Sequence, residues 1–124
     1  MSKRQITDHV VNPVNDRIAI TVQDTPGAGG ACHRYAVRWT DRSGDPGGLD
    51  VRFQDGPIAE AGVNGITQEV LLAIVADRLR GFQAGGFACR ENALALTKVE
   101  EALMWLHRRT RDRMQRGVEG THGA

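Results

Sequence analysis

RENALALTKVEEALMWLHRRTRDRMQR, residues 90–116, is the stretch that decides the fold. Its apolar residues recur at spacings of three and four, which is the period of an α-helix. The apolar stripe consists of Leu96, Val99, Leu103 and Leu106. Gly117 follows directly, and glycine often ends a helix because it adopts the left-handed conformation without steric cost. The pattern predicts one long helix over residues 90–116.

A second helical pattern precedes the long one, in TQEVLLAIVADRLRGF, residues 67–82. Thr67 stands where a helix N-cap is expected. The predicted buried stripe of this helix consists of Val70, Leu71, Ile74, Val75 and Leu79. The glycine-rich QAGGFA then breaks the pattern, so the two helices are predicted to form an antiparallel hairpin.

The first half of the chain has the period of β-strands instead. RIAITVQ, RYAVRW and LDVRFQ, residues 17–23, 34–39 and 49–54, alternate apolar and polar residues. A weaker strand is expected at residues 9–11. Turn-rich loops separate the strands, which favours antiparallel pairing. The predicted class is α+β, a small antiparallel sheet in the N-terminal half followed by an antiparallel two-helix hairpin.

The length of 124 residues suits a single domain over residues 1–124. We expect a sheet region at about 1–55, the helical hairpin at about 66–117 and a tail at 118–124. No segment approaches the roughly 20 apolar residues that span a bilayer, and the start lacks the apolar stretch of a signal peptide. We therefore expect a cytosolic location and no membrane association.

No catalytic, metal or cofactor pattern stands out. The histidines, His9, His33, His107 and His122, lack metal-ligand spacing. GAGGAC, residues 27–32, lacks the last glycine of a dinucleotide fingerprint, and a hairpin loop is the favoured interpretation. Cys32 and Cys89 lack CxxC spacing, which suits reduced thiols. We therefore expect no metal site, no hydrolytic site and no cofactor fingerprint.

Arginines crowd the end of the long helix, although the formal net charge of the chain is only +1. That small net charge argues against a general nucleic-acid binder. At about 100° per residue, Arg109, Arg113 and Arg116 fall within an arc of roughly 60° and continue the edge of the buried stripe. Arg108 and Arg111 point to the other side and are expected to face water.

Two interpretations of the arginine face remain open. Cations in a last helical turn complement the helix dipole, and their aliphatic stems cover apolar surface. Three guanidinium groups on one core-facing side repel each other, however, unless an anion or an acidic partner lies near. Phosphate suits paired guanidinium groups by its shape, so a phosphate site is the alternative.

The junction between the helices offers further candidates. Phe82 or Phe87 could stack on a base, or Phe82 could simply pack at the helix end. Asn92, in the first turn of the long helix, could bind a ligand or cap the helix. A helix of some 25 residues separates this junction from the arginines by roughly 35–40 Å. If both groups bind one ligand, an antiparallel neighbour must unite them, which predicts a homo-oligomer.

RENALALTKVEEALMWL and RGVEGTH carry a resemblance to a known family. Residues 51–122 resemble the carboxy-terminal half of the phage Thoeris anti-defence sponge proteins, and the long helix is similar to that of the anti-CBASS sponges. Such proteins are not enzymes. They sequester cyclic nucleotide signals of bacterial immunity and release them intact, which implies action in the cytoplasm of the infected host.

The resemblance also implies ligands and site residues. The Thoeris signal is a glycocyclic ADP-ribose, and some members hold cyclic di- or trinucleotides at a separate site formed when dimers assemble into hexamers. Phe82 would stack on a base, Asn92 would hydrogen-bond the ligand, and Arg109 and Arg113 would pair with phosphates. A possible second ligand site consists of Arg116, Gly117 and Thr121.

Two other functions fit the same arginines. The first is a nucleic-acid-binding regulator, which would show a steep dependence of affinity on salt. The second is a structural assembly module in which acids of a neighbouring subunit, such as Glu100 or Glu101, satisfy the arginines.

Overall fold

The structure is a computed structural model that describes residues 4–117. The chain divides into two compact units, with the boundary between Ile66 and Thr67. That boundary falls in the predicted connection between sheet and hairpin. The single domain over residues 1–124, with its three regions, stays a prediction.

The first unit contains a four-stranded antiparallel sheet, and the strands follow one another in the order of the chain. They are β1 (Arg4–Ile6), β2 (Ala19–Val22), β3 (Arg34–Thr40) and β4 (Pro46–Arg52). Val22 lies opposite Tyr35, and Tyr35 lies opposite Val51, so these side chains share one apolar face. Val22 is the largest fully buried side chain described. The predicted sheet and its pairing are confirmed.

The expected strand at residues 9–11 is wrong, because the first strand lies at Arg4–Ile6. His9 instead donates a hydrogen bond from its ring Nε2 to the Ile18 carbonyl oxygen at 2.5 Å, because a carbonyl oxygen can only accept. A short helix, α1 (Pro13–Asp16), follows, with Asn12 as N-cap and Pro13 in its first turn. The Asn-Pro pair is a helix start signal that ends the extended chain here.

The connection between β2 and β3 is held by Asp24. Its carboxylate accepts hydrogen bonds from the backbone N–H groups of His33, at 2.9 Å, and Arg34, at 3.2 Å. The bond from the His33 N–H chiefly holds the pKa of the Asp24 carboxyl below its ordinary value. His33 itself is buried, and its Nε2 lies 3.0 Å from the Ala28 carbonyl oxygen. The predicted loop is therefore closed by specific polar contacts.

The connection after β4 contains a short helix, α2 (Ile58–Ala61), and returns to the sheet unit. Phe53 and Ile66 form a parallel β-bridge. Gly65 precedes the bridge, and a Cβ atom there would collide with the Phe53 carbonyl group. The Asn64 side chain accepts from the Asp55 N–H at 2.8 Å and donates to the Asp55 carbonyl at 2.7 Å. These contacts hold the chain between Phe53 and Ile66 in one compact connection.

The second unit is the predicted helical hairpin. It consists of α3 (Gln68–Ala84) and α4 (Arg90–Gln115). Thr67 is the N-cap of α3 as predicted, and its Oγ1 accepts from the Val70 N–H at 3.4 Å. The helix α4 ends with Arg116 as C-cap, and Gly117 follows in the left-handed conformation at φ 73°. Glycine therefore ends the long helix, as its sequence indicates.

The buried side of α3 is rotated from the predicted stripe. Ala76 is fully buried, while Val70, Ile74 and Val75 are exposed, Ile74 by 60%. The predicted residues Leu71 and Leu79 do lie on the half-buried side. The run VLLAIVA places apolar residues on every side of the helix, so periodicity alone cannot choose between faces. None of the helices within residues 4–117 combines the length and apolarity needed to cross a bilayer.

Candidate anion-binding site on the C-terminal helix

A hollow of about 550 Å³ lies along the last three turns of α4. Its lining residues are Trp105, Arg108, Arg109, Asp112, Arg113 and Arg116. They succeed one another at spacings of three, one, three, one and three, which keeps them on one side of a helix. The volume falls within the roughly 300–1,000 Å³ of small-molecule sites. The predicted arginine face thus borders an open depression between side chains of α4.

The charge in this hollow is strongly positive, since four arginines stand against one aspartate. Arg113 is only 6% exposed and has an interaction partner within the chain. Arg109 and Arg116 are exposed. Burial of a guanidinium is costly unless negative or hydrogen-bonding groups compensate for lost water. Arg113 therefore contributes a mostly buried cation to the lining, and the exposed arginines add charge around it.

Trp105 brings an aromatic surface to the same hollow, and the sequence analysis did not assign it a role. Its side chain is 54% exposed. The Arg108 guanidinium carbon lies 5.5 Å from the centre of the indole ring, which is a cation–π contact. Trp105 and Asp112 could have been found from the sequence, because they stand one turn before and one turn after Arg108 and Arg109.

The placement of Arg108 differs from the expectation. Sorting by helical angle grouped it with Arg111 as facing water, but Arg108 lines the hollow and Arg111 does not. Helical angles describe only the direction of each Cα atom from the helix axis. A long arginine side chain can turn toward a neighbouring aromatic ring one turn earlier, and Trp105 provides that ring for Arg108.

Phe82 lies in the last turn of α3 and is half-buried. The Arg78 guanidinium carbon sits 4.9 Å from the centre of its ring. Phe87, in the connection between the helices, is 78% exposed. Both the packing role and the stacking role of Phe82 are compatible with this position, since a cation covers one face of the ring.

Asn92 does not cap α4, because Cys89 occupies the N-cap position. The Cys89 Sγ accepts a hydrogen bond from the Asn92 N–H at 3.4 Å. The Asn92 side chain is half-buried in the first turn, and it has no hydrogen-bond partner among the residues that the structure describes. The capping alternative is thereby removed, and the carboxamide remains available for other contacts.

The predicted site residues form two groups in one chain. Phe82 and Asn92 lie near the connection between α3 and α4, and Arg109 and Arg113 lie near the other end of α4. Asn92 and Arg113 are separated by about 32 Å along the helix, at about 1.5 Å per residue. One subunit does not bring the two groups together.

The predicted second site is described only in part. Arg116 and Gly117 are exposed, and Arg116 lines the hollow. Thr121 lies outside the described residues. Within residues 4–117 no group of three or more His, Cys, Asp or Glu residues could hold a metal ion.

Comparison with known proteins gives two matches. Residues 45–111 match the family described as Acb2/Tad1, hairpin domain. A 72-residue segment is 61% identical to a protein of Bacillus phage SBSphiJ7 named Thoeris anti-defense 1. The segment covers 58% of this chain and 51% of the relative, so the match extends over about half the length of that protein.

Proposed function

The chain belongs to the Acb2/Tad1 hairpin family, and we propose that it is a phage anti-defence protein that sequesters glycocyclic ADP-ribose. In this function the protein binds the signal in the cytoplasm of the infected bacterium. It holds the signal away from the Thoeris effector without cleaving it. The name of the Bacillus phage relative supports the anti-defence role.

The hollow on α4 carries the ligand assignment. Its four arginines provide paired guanidinium groups, which bind phosphate through two parallel hydrogen bonds. A glycocyclic ADP-ribose carries two linked phosphates, so Arg109 and Arg113 are proposed to hold this diphosphate. Because Arg113 is mostly buried, its side chain has less freedom to lose when the ligand binds.

The other groups in the hollow suit the rest of such a ligand. The exposed Trp105 ring offers a flat surface for an adenine base, and the Asp112 carboxylate can accept hydrogen bonds from ribose hydroxyl groups. Asp112 also disfavours an additional phosphate close to it. These side chains therefore extend the proposed recognition from phosphate to nucleoside.

The proposed site is shared between two subunits. Phe82 and Asn92 would come from one subunit, and Arg109 and Arg113 from its antiparallel partner, because one α4 holds them about 32 Å apart. The exposed Val70 and Ile74 of α3 provide apolar surface for such an assembly. The proposed assembly is a homo-oligomer, either a dimer or a hexamer assembled from dimers.

Cyclic di- and trinucleotides are proposed as further ligands, which would extend the anti-defence role to CBASS. Their site would involve Arg116, Gly117 and Thr121. Arg116 is exposed at the end of α4, where its guanidinium is accessible to a phosphate.

The assembly-module alternative is less favoured by the contacts of the acids. Glu100 accepts a hydrogen bond from Arg80 Nη2 at 3.1 Å, and Glu101 lies 4.0 Å from Lys98 Nζ. Both glutamates thus have cationic partners within their own chain. An arginine of a neighbouring subunit would have to share each carboxylate with the cation already beside it.

A calorimetric titration with purified glycocyclic ADP-ribose tests the proposed function. We expect saturable binding with one ligand per subunit, because each α4 supplies one arginine hollow. Titrations with cyclic di- and trinucleotides then test the second ligand class. Absence of binding to every one of these nucleotides would contradict the proposal, and binding of random duplex DNA with steep salt dependence would favour the nucleic-acid alternative.

A further inference from the structure

The sheet unit carries a second pair of facing arginines that the proposed function does not use. Arg34 in β3 lies directly opposite Arg52 in β4. Opposed residues of antiparallel strands place their side chains on one face, with Cβ atoms about 4.5–5.5 Å apart. The Gln23 N–H donates to the Arg34 carbonyl at 2.9 Å, so Gln23 continues the row across the sheet. One row therefore presents a carboxamide and two guanidinium groups.

Neither arginine of this row has an acidic partner among the described residues. Asp24 is close along the backbone, but its two carboxylate oxygens accept from the N–H groups of His33 and Arg34. Asp50, in the next row, accepts from Arg38 Nη2 at 2.6 Å. Like charges directly opposite in a sheet destabilise it. An anion between Arg34 and Arg52 would remove that repulsion.

The row lines a cavity of about 250 Å³. Ala36 follows Arg34 on the same face and is buried, at 6% exposure. Its small side chain leaves room between the row of Arg34 and the row of Arg38. The row of Gln23, Arg34 and Arg52 borders this cavity, the row of Ala36 and Asp50 lies next to it, and Arg38 lies one row further.

We propose that Gln23, Arg34 and Arg52 form a binding site for a single phosphate dianion, either free phosphate or the terminal phosphate of a small ester. Two guanidinium groups match the charge and the oxygen geometry of one phosphate, and the Gln23 carboxamide can donate to a third oxygen. Asp50, in the neighbouring row and paired with Arg38, repels a polyanion that extends beyond Arg34 and Arg52. The site thus favours one compact phosphate over a nucleic-acid backbone.

This site shares no residue with the arginine hollow on α4, since Arg34 and Arg52 lie on β3 and β4 and Gln23 directly follows β2. If phosphate does not bind here, the proposed nucleotide function is unaffected. If the nucleotide function fails, this phosphate site is likewise unaffected. An α4 variant, Arg109→Gln, separates the two sites experimentally, because it should leave phosphate binding at the sheet unchanged.

The test is an NMR titration of the full chain with inorganic phosphate and, separately, with adenosine monophosphate, at constant ionic strength maintained with chloride. We expect the side-chain Nε–H signals of Arg34 and Arg52 to shift and saturate in the millimolar range or below. Equal affinities would identify the free dianion as sufficient, and tighter binding of the nucleotide would identify a phosphate ester. Both results support the shared chemistry of the site.

Charge-removing variants provide the matched comparison. Arg34→Gln and Arg52→Gln should each weaken phosphate binding at least tenfold, whereas Arg42→Gln, in the turn between β3 and β4, should leave it unchanged. In chloride, a double-mutant cycle on unfolding should show repulsion between Arg34 and Arg52, and phosphate should abolish or reverse it.

Two results would overturn the proposal. The first is an absence of saturable shifts at Arg34 and Arg52 in the wild-type chain, which requires no variant to fold. The second is equal loss of phosphate binding in Arg42→Gln, since that would identify general attraction to positive charge instead of a site.

Discussion

Arg109 and Arg113 line the same hollow but differ in burial. This difference decides what a substitution at each position measures. Arg113 is 6% exposed, so its replacement changes packing and charge balance together. We expect Arg113→Gln to lower the free energy of unfolding by about 1–3 kcal/mol. Arg109 is exposed, and its replacement changes the hollow with little effect on the fold.

Arg109→Gln should therefore weaken binding of glycocyclic ADP-ribose by tenfold or more while leaving the melting temperature nearly unchanged. The physical reason is the loss of one charge-assisted pair to phosphate, worth about 1.5–3 kcal/mol. Arg111→Gln is the matched control, since Arg111 is exposed on the same helix but does not line the hollow. Calorimetry compares the affinities. Equal weakening by both variants would point to a diffuse field instead of a site.

Asp24 makes the sheet unit sensitive to acid. Its pKa is lowered in the folded state, chiefly by the His33 N–H, so the carboxylate contributes stability at pH values above its unfolded pKa of about 3.9. That contribution is lost as the pH falls through the folded pKa. Asp24→Asn should unfold at a lower temperature than the wild type at pH 7, with the difference shrinking below about pH 3.9. Melting curves across this range check the trend, and a constant difference would contradict it.

The helices show how far sequence alone could reach. Thr67 and Gly117 have strong local signals, a hydroxyl N-cap and a left-handed glycine, and both ends were predicted. The buried face of α3 was not, because VLLAIVA offers apolar side chains in every direction. The contact of Arg108 with Trp105 depends on a side-chain conformation, which helical angles do not contain. Local rules therefore predicted the elements, and packing decided their faces.

The exposed apolar side of α3 predicts an effect on assembly. Ile74→Lys should weaken self-association by tenfold or more, since a buried isoleucine contributes about 1.5–3 kcal/mol. The side chain is 60% exposed within one chain, so the subunit itself should keep its helical circular dichroism. Val11→Lys, at an 85% exposed position of the sheet unit, is the control. Analytical ultracentrifugation measures association, and an unchanged mass for Ile74→Lys would exclude this face from the interface.

For the whole molecule, α4 acts as a spacer that separates the two groups of proposed ligand contacts. The 26-residue length of α4 makes a shared site possible only between subunits. The sequence alone predicted a shared site from helix length, and this stays a prediction, but it did not show that Trp105 and Arg108 border the hollow. The family match covers residues 45–111, so the strands β1 to β3 lie outside it.

A mixing experiment tests the shared site. Asn92→Ala and Arg109→Gln subunits should each bind poorly alone, yet a mixed dimer places an intact Asn92 and an intact Arg109 in one of its two sites. Random reassortment of dimers should restore about a quarter of the wild-type sites. Calorimetry after co-refolding measures this fraction. No recovery in verified mixed dimers would mean that the two groups do not share a site.

Sequestration itself is tested by depletion and release. The protein is incubated with glycocyclic ADP-ribose, the filtrate is assayed by mass spectrometry, and the retained protein is then heated to free its ligand. We predict that the signal disappears from the filtrate and returns after heating with unchanged mass and in nearly full amount. A signal that stays in the filtrate, or that returns as a cleaved product, would contradict a binding protein that withholds the intact nucleotide.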